Sequence, residues 1–202
     1  LPVISRDGQI LESQVEKEAC NMNLDWRKRV SFHAVLEPSC MNRFSARITM
    51  VDKKLGNPAY LEEEHIKEAC CYSNDRIRVR INPETGLLDS YKVDGEEYLR
   101  EGSGALVVMK TDCDPWGMNR HSYREELGRF RLMGKEEGSR YSGTSNERHG
   151  SAGCLIPSVR IVEDGPVKRV VEAVMEYGHS QACIRYILPA RGTKLRVEIR
   201  VN

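Results

Sequence analysis

Histidine is scarce in this chain. Its five copies, His33, His65, His121, His149 and His179, stand far apart in 202 residues, with no two three to five positions from each other. That excludes an H-E-x-x-H or H-x-H pair, the usual local route to a metal site. Long apolar runs are missing too. No segment approaches the roughly 20 apolar residues of a membrane span, and the N-terminal "LPVISRDGQI" lacks the basic-then-apolar pattern of a secretory leader. Nor is there an excess of one charge. Thirty-one Lys and Arg face 30 Asp and Glu, for a net charge of +1, and the bases alternate with acids or apolar residues. Neither nucleic acid nor a membrane surface is signalled as a partner.

Regular cysteine spacing is also absent. The seven cysteines, Cys20, Cys40, Cys70, Cys71, Cys113, Cys154 and Cys183, form an odd count without a C-x-x-C pair, which argues against a disulfide framework or a structural zinc site. Cys183 lies in a strand-like run, where a free thiol behaves as a small hydrophobe. Reduced thiols in a cytoplasmic protein are the expectation. The chain opens on Leu1 rather than methionine and stops at "RVEIRVN", in what reads as mid-strand, so a piece of a longer polypeptide is expected.

What the sequence does have is a period of two. "RVSFHAVL" alternates Val30, Phe32, Ala34 and Leu36 with Arg29, Ser31, His33 and Val35, and "RFSARITM" alternates Phe44, Ala46, Ile48 and Met50 with Arg43, Ser45, Arg47 and Thr49. Both read as strands buried on one face. "SRDGQI" carries an Asp-Gly turn. "RIRVRI" sets Ile77, Val79 and Ile81 against Arg76, Arg78 and Arg80. The turn "NPETG" follows, with Gly86 free to take a positive φ. "LLDSYKV", Asp94-Gly95 and "EEYL" make a hairpin, and "ALVVMK" reads as a more fully buried strand. "VKRVVEAVMEY" could pass for a helix by propensity, but its valines and flanking turns favour a long strand. "ACIRYIL" and "KLRVEIRV" complete the set. The fold class is all-β: an antiparallel β-sandwich.

Two stretches break the alternation. Residues 51–69, "VDKKLGNPAYLEEEHIKEA", are charged and hold Gly and Pro, with a short helix possible around "LEEEHIKEA"; they read as a linker. From Thr111 to Gly153 the periodicity collapses into a long connection, of a length usually functional or disordered.

That connection holds "DCDPWGMNRH", Asp112 to His121, where candidate chemistry concentrates. Asp112, Asp114 and His121 could converge on a cation, but without cover from a core they read as a solvated loop. A glycosidase needs two carboxylates about 5–9 Å apart; Asp112, Asp114, Glu125 and Glu126 are near one another, yet acids are too abundant here for that to select a pair. No G-x-S-x-G is present, and "GSG" at Gly102 to Gly104 lacks the lysine of a phosphate loop. The remaining candidate is a sugar platform. Trp116 and Tyr123 would stack on a pyranose face while Asp114, Asn119 and Arg120 hydrogen-bond its hydroxyls. The plainer reading, in which Trp116 only pins the loop to the sandwich, stands beside it. No catalytic residue and no metal ligand is assigned in this chain.

Three stretches in order, "QVEKEACNMNLDWRKRVSF", "NDRIRVRINPETGLLDSYKVDGEEYL" with "DPWGM", and "IPSVRIVEDGPVKRVVEAVMEYGHSQACIRYILPARGTKLRVEIRV", resemble the β-rich C-terminal region of bacterial α-mannosidases of glycoside hydrolase family 38. The resemblance covers most of the chain, and the last stretch is its most diagnostic part. It implies a galactose-mutarotase-like supersandwich fragment preceded by strands of a smaller β-sandwich. Residues 1–51 would supply the small sandwich strands, 52–69 the linker, and 70–202 the start of the supersandwich, with the long loop at about 111–153. It further implies a retaining exo-glycosidase of terminal α-mannosides. Its aspartate nucleophile and divalent metal, as a rule zinc, belong to a catalytic domain of the same polypeptide that this chain lacks. A mannose-containing oligosaccharide would be the substrate, and this chain by itself is expected to be inactive. Two other readings remain open: a free-standing carbohydrate-binding module built on Trp116 and Tyr123, and a mutarotase-like epimerase using His121 or His149 as proton carrier.

Overall fold

A computed structural model describes residues 3–16, 29–47, 66–68, 70–111, 123–142 and 155–202. Strands dominate, every pairing among the described residues is antiparallel, and two facing sheets form the main body. The alternating sequence therefore folds as a β-sandwich.

The N-terminal part holds β1 (Val3–Ser5), β2 (Ile10–Leu11), β3 (Ser13–Glu16), β4 (Arg29–Phe32) and β5 (Phe44–Ala46). The Asp7-Gly8 turn joins β1 to β2, with Gly8 at φ +80°, the positive φ that glycine adopts without strain. β1 also pairs with β5, and β3 pairs with β4 in a separate ribbon. The "RVSFHAVL" strand is shorter than its alternation suggests. It ends at Phe32, and Val35 and Leu36 are exposed. Alternation alone does not extend a strand; a partner must run beside it, and β3 supplies only four rungs.

The first sheet of the main body has the order β6 (Cys71–Ser73), β7 (Ile77–Ile81), β8 (Leu88–Val93) and β9 (Glu96–Glu97). Ile77, Val79, Ile81 and Leu88 are buried on one face, and Arg78 and Arg80 are exposed on the other. The "NPETG" turn lies between β7 and β8. Asn82 Oδ1 accepts from the Glu84 amide at 2.9 Å and the Thr85 amide at 3.2 Å, and Gly86 closes it at φ +71°. At the β8–β9 hairpin Asp94 and Gly95 both have positive φ, as a two-residue turn matched to sheet twist requires.

The second sheet is built on β14 (Lys168–Tyr177) and β15 (Ser180–Pro189), paired over ten rungs. β16 (Arg196–Val201) extends it on one side. On the other, β12 (Arg131–Leu132) and β13 (Val159–Asp164) pair with successive parts of β14. Val171, Ala173, Met175, Ala182, Ile184, Tyr186 and Leu188 face the first sheet and complete the core. β14 is thus a strand despite its helix-tolerant composition, because its valines pack on both faces of a covered sheet.

Polar contacts set how the two sheets stack. The Tyr186 hydroxyl donates to the Gly86 carbonyl at 2.8 Å. A Cβ on Gly86 would stand 2.8 Å from Ala173 Cβ, so the turn of one sheet lies flat on the other. At one end, the Tyr72 hydroxyl and Asn74 Nδ2 each donate to the Pro189 carbonyl at 2.9 Å, and the Tyr91 hydroxyl donates to the Thr193 carbonyl. Buried polar groups are satisfied across the interface, as their desolvation demands.

The stretch read as a long connection contains structure. β10 (Val107–Met109), β11 (Glu126–Arg129) and β12 lie in or beside it, together with helix α1 (Lys135–Tyr141). Glu137 reaches back to accept from the Gly134 amide at 2.8 Å, half of a capping box. α1 rests on the outer face of the large sheet: a Cβ on Gly138 would meet Ser158 Oγ at 2.3 Å and Val174 Cγ2 at 3.2 Å. These elements are too short to show periodicity, and contact with β14 stabilises them. β10 is also less buried than "ALVVMK" suggests, with Val107 exposed. Of the 52–69 linker only residues 66–68 are described. They form a helical turn whose Ile66 enters the core.

The N-terminal ribbon is tied to the large sheet. Gln14, almost wholly buried, accepts through Oε1 from the Val167 amide at 3.1 Å and the Lys168 amide at 2.9 Å. Lys168 Nζ donates to Glu16 Oε1 at 2.7 Å, and Arg191 pairs with Glu12 at 2.7 Å. Gly165 has no room for a side chain, since a Cβ would stand 2.7 Å from Gln14 Oε1.

Candidate functional site

Strands β10 and β11 form a two-stranded ribbon whose free end carries the segment singled out by the sequence. At its mouth the Lys110 amide donates to the Glu125 carbonyl at 2.9 Å, and Lys110 Nζ pairs with Glu125 Oε1 at 2.8 Å. The ribbon is fixed at its base. The Phe130 amide donates to the Leu106 carbonyl at 3.0 Å, the Tyr177 hydroxyl donates to the Leu127 carbonyl at 3.2 Å, and the Phe130 and Tyr177 rings lie 5.9 Å apart. Gly128 lies against Tyr177, where a Cβ would be 2.4 Å from the ring. The ribbon is a stem packed on the sandwich surface at its base.

Of the five platform residues, Tyr123 is described, exposed at the open end of this stem. Asp114, Trp116, Asn119 and Arg120 lie outside the described residues, as do Asp112, His121 and His149. The nearby acids are already engaged. Glu125 is paired with Lys110. Glu126 meets Arg129 Nε at 2.7 Å, and that bond holds its carboxyl below the usual range. Among the described residues no group of three His, Cys, Asp or Glu side chains converges as a metal site would require. His33 Nδ1 is 3.9 Å from Glu12 Oε2, and that carboxylate is shared with Arg191.

Sequence reading missed one polar constellation entirely. On the α1 face of the large sheet, Glu172 accepts through Oε1 from Arg160 Nε at 3.0 Å and Nη2 at 2.6 Å. Through Oε2 it accepts from Arg185 Nε at 2.7 Å. Register places the three on neighbouring strands β13, β14 and β15, with Glu198 of β16 next in line. Burial raises the Glu172 carboxyl, but the two guanidinium groups outweigh it and hold it below its ordinary value. Beside it, burial pushes the Cys183 thiol up to about 11, with Glu172 adding to the rise, so Cys183 is a protonated, inert thiol at neutral pH. The signal was present in the alternating signs of "RIVEDGPVKRVVEAV", but which acid meets which base depends on register.

The geometry defines an antiparallel β-sandwich with a surface-borne hairpin. Compared with known proteins, the chain matches no family model, and no curated protein or solved structure matches it.

Proposed function

We propose that this chain is a non-catalytic β domain of an α-mannosidase, a retaining glycosyl hydrolase of terminal α-mannosides. In this reading it supports a catalytic domain of the same polypeptide and helps wall that domain's sugar site. The carrying observation is the β10–β11 stem. It is a ribbon docked on a sandwich, with Tyr123 at its open end, and its flanking acids are held in ion pairs. A ribbon whose own acids are held in ion pairs suits a wall better than a reaction centre. A second observation agrees with it. Val197, Ile199 and Val201 of β16 face the same way as the core residues Tyr186, Ile184 and Ala182 with which they pair, yet they are exposed. The core face thus runs on past its covering sheet, as it would where another domain packs.

The divalent metal of the reaction, zinc as a rule, and the aspartate nucleophile belong in this reading to the catalytic domain. Mannose-containing oligosaccharide is the substrate of the whole enzyme in this reading, and its location is the cytoplasm, with which the four unpaired cysteines among the described residues are in keeping. Trp116→Ala in the whole polypeptide tests the loop's role. A rise in KM or a loss of domain docking with kcat retained is expected. Lost turnover at unchanged KM and unchanged Tm contradicts it.

A free-standing carbohydrate-binding module is the second reading, favoured by the exposed Tyr123 at the stem. Titration of this chain with mannose or mannobiose, followed by tryptophan fluorescence, separates the two: saturable binding below millimolar concentration supports the module.

A further inference from the structure

The solvent face of the β6–β9 sheet holds a trough of about 490 Å³, lined in part by Ser73, Arg78, Arg80, Lys92, Asp89 and Glu97. The strand register sets its cations side by side. Arg78 of β7 is directly opposite Lys92 of β8, and Arg80 lies two residues along on the same face. Like charges on one rung destabilise a sheet, so their counter-charges matter. Two carboxylates share the trough, Glu97 of β9 on the same rung as Lys92 and Asp89 beside Arg80, and both also accept from other donors. Asp89, with its side chain only 8% exposed, accepts from Asn82 Nδ2 at 3.1 Å and the Gly102 amide at 3.3 Å, and its contact to Arg80 Nε is a loose 3.8 Å. Glu97 accepts from the Tyr91 amide at 2.8 Å, the Leu99 amide at 3.2 Å and the Ser90 hydroxyl. Arg78 and Lys92 have no carboxylate within 4 Å among the described residues. Three cations therefore line one depression with two carboxylates, Glu97 directly opposite Lys92 and Asp89 3.8 Å from Arg80, and both carboxylates also accept from backbone and side-chain donors.

We propose that this trough binds a phosphate group, with Arg78 and Lys92 as the principal contacts and Arg80 as the third. A guanidinium fork meets two phosphate oxygens and the ammonium takes a third. A dianion between opposed strands also removes the repulsion across the rung. The group arrives either as free phosphate or as the monoester of a small polyhydroxyl compound, whose hydroxyls Ser73 is placed to meet.

Calorimetric titration of the whole chain at pH 7.5 with inorganic phosphate and with glucose 6-phosphate, against glucose, tests this. Saturable binding of either phosphate, absent with glucose and weakened by added salt, supports the site. Tighter binding of glucose 6-phosphate assigns the monoester, and equal or tighter binding of inorganic phosphate assigns the free ion. R78Q/K92Q should weaken binding at least tenfold while its circular dichroism matches that of the parent. Failure of both phosphates to bind below about 10 mM overturns the proposal, as does equal affinity in R78Q/K92Q.

Discussion

Removing Glu172 is expected to be among the most damaging single changes in this chain. The side chain is 6% exposed, and Arg160 beneath α1 is 10% exposed. Glu172 takes two bonds from Arg160 and one from Arg185. Among the described residues Arg160 Nη1 is already buried without a partner and Glu172 is the acceptor for the other two nitrogens. Breaking a buried ion pair by removing one partner costs about 3–5 kcal/mol, because the remaining charge stays buried and uncompensated. Arg185, one-third exposed, can turn toward water, so the cost of E172A falls mainly on Arg160. With a urea m-value of about 2 kcal/mol/M, a loss of about 4 kcal/mol lowers the unfolding midpoint by about 2 M. Replacing both members, as R160M/E172L, removes the stranded charge. That variant should lie within about 1 kcal/mol of the parent or above it. The pH dependence has a definite sign. The folded carboxyl ionises below its ordinary 4.5, so its stabilisation is complete above about pH 4.5 and drains away as pH falls through the lower folded value. In E172A that part of the acid sensitivity disappears. Urea titration by circular dichroism at pH 7 and at pH 3.5 reads all of these. A cost below about 1 kcal/mol for E172A, or a double variant as unstable as the single, refutes the reasoning.

Three other outcomes follow from packing and burial. Gly86→Ala places a Cβ 2.8 Å from Ala173 at φ +71°, combining left-handed strain with overpacking; a loss of about 2–4 kcal/mol in urea titration is expected. Gln14→Ala leaves the Val167 and Lys168 amides without their acceptor, at about 1–3 kcal/mol, and hydrogen exchange should quicken at those two amides before it does along β14. Burial pushes the Cys70 thiol up to about 12 and Cys183 to about 11, whereas Cys71 is exposed. Peptide mapping after iodoacetamide at pH 8 should find Cys71 alkylated well ahead of the other two. Alkylation of Cys70 or Cys183 at the rate of Cys71 contradicts the burial.

The strands of the main body were legible because each buried position is followed by a solvent-facing one. Ile77, Arg78, Val79, Arg80 and Ile81 state their own faces, and the glycines at 86 and 95 mark turns that need positive φ. β14 was legible for a related reason, since its β-branched run is bounded by turns. What escaped was whatever depends on a distant partner. β11, β12 and α1 are too short to announce themselves, and each is held by contact with an element elsewhere in the chain. "RVSFHAVL" shows the converse error: it alternates through eight residues, but its partner strand ends after four. The Arg160–Glu172–Arg185 triad was hidden in a sequence where charged residues are common, because only the registers of β13, β14 and β15 bring those three together. Of the sugar platform, Tyr123 alone falls within the described residues, and it is exposed at the stem.

The central claim is that this chain serves an α-mannosidase without performing its chemistry. It is tested most directly by hydrolysis of p-nitrophenyl α-mannoside, with zinc supplied, by the product of the whole reading frame and by this 202-residue chain side by side. The account predicts turnover by the former and none above background by the latter. Turnover by the isolated chain, or none by the whole product, contradicts it.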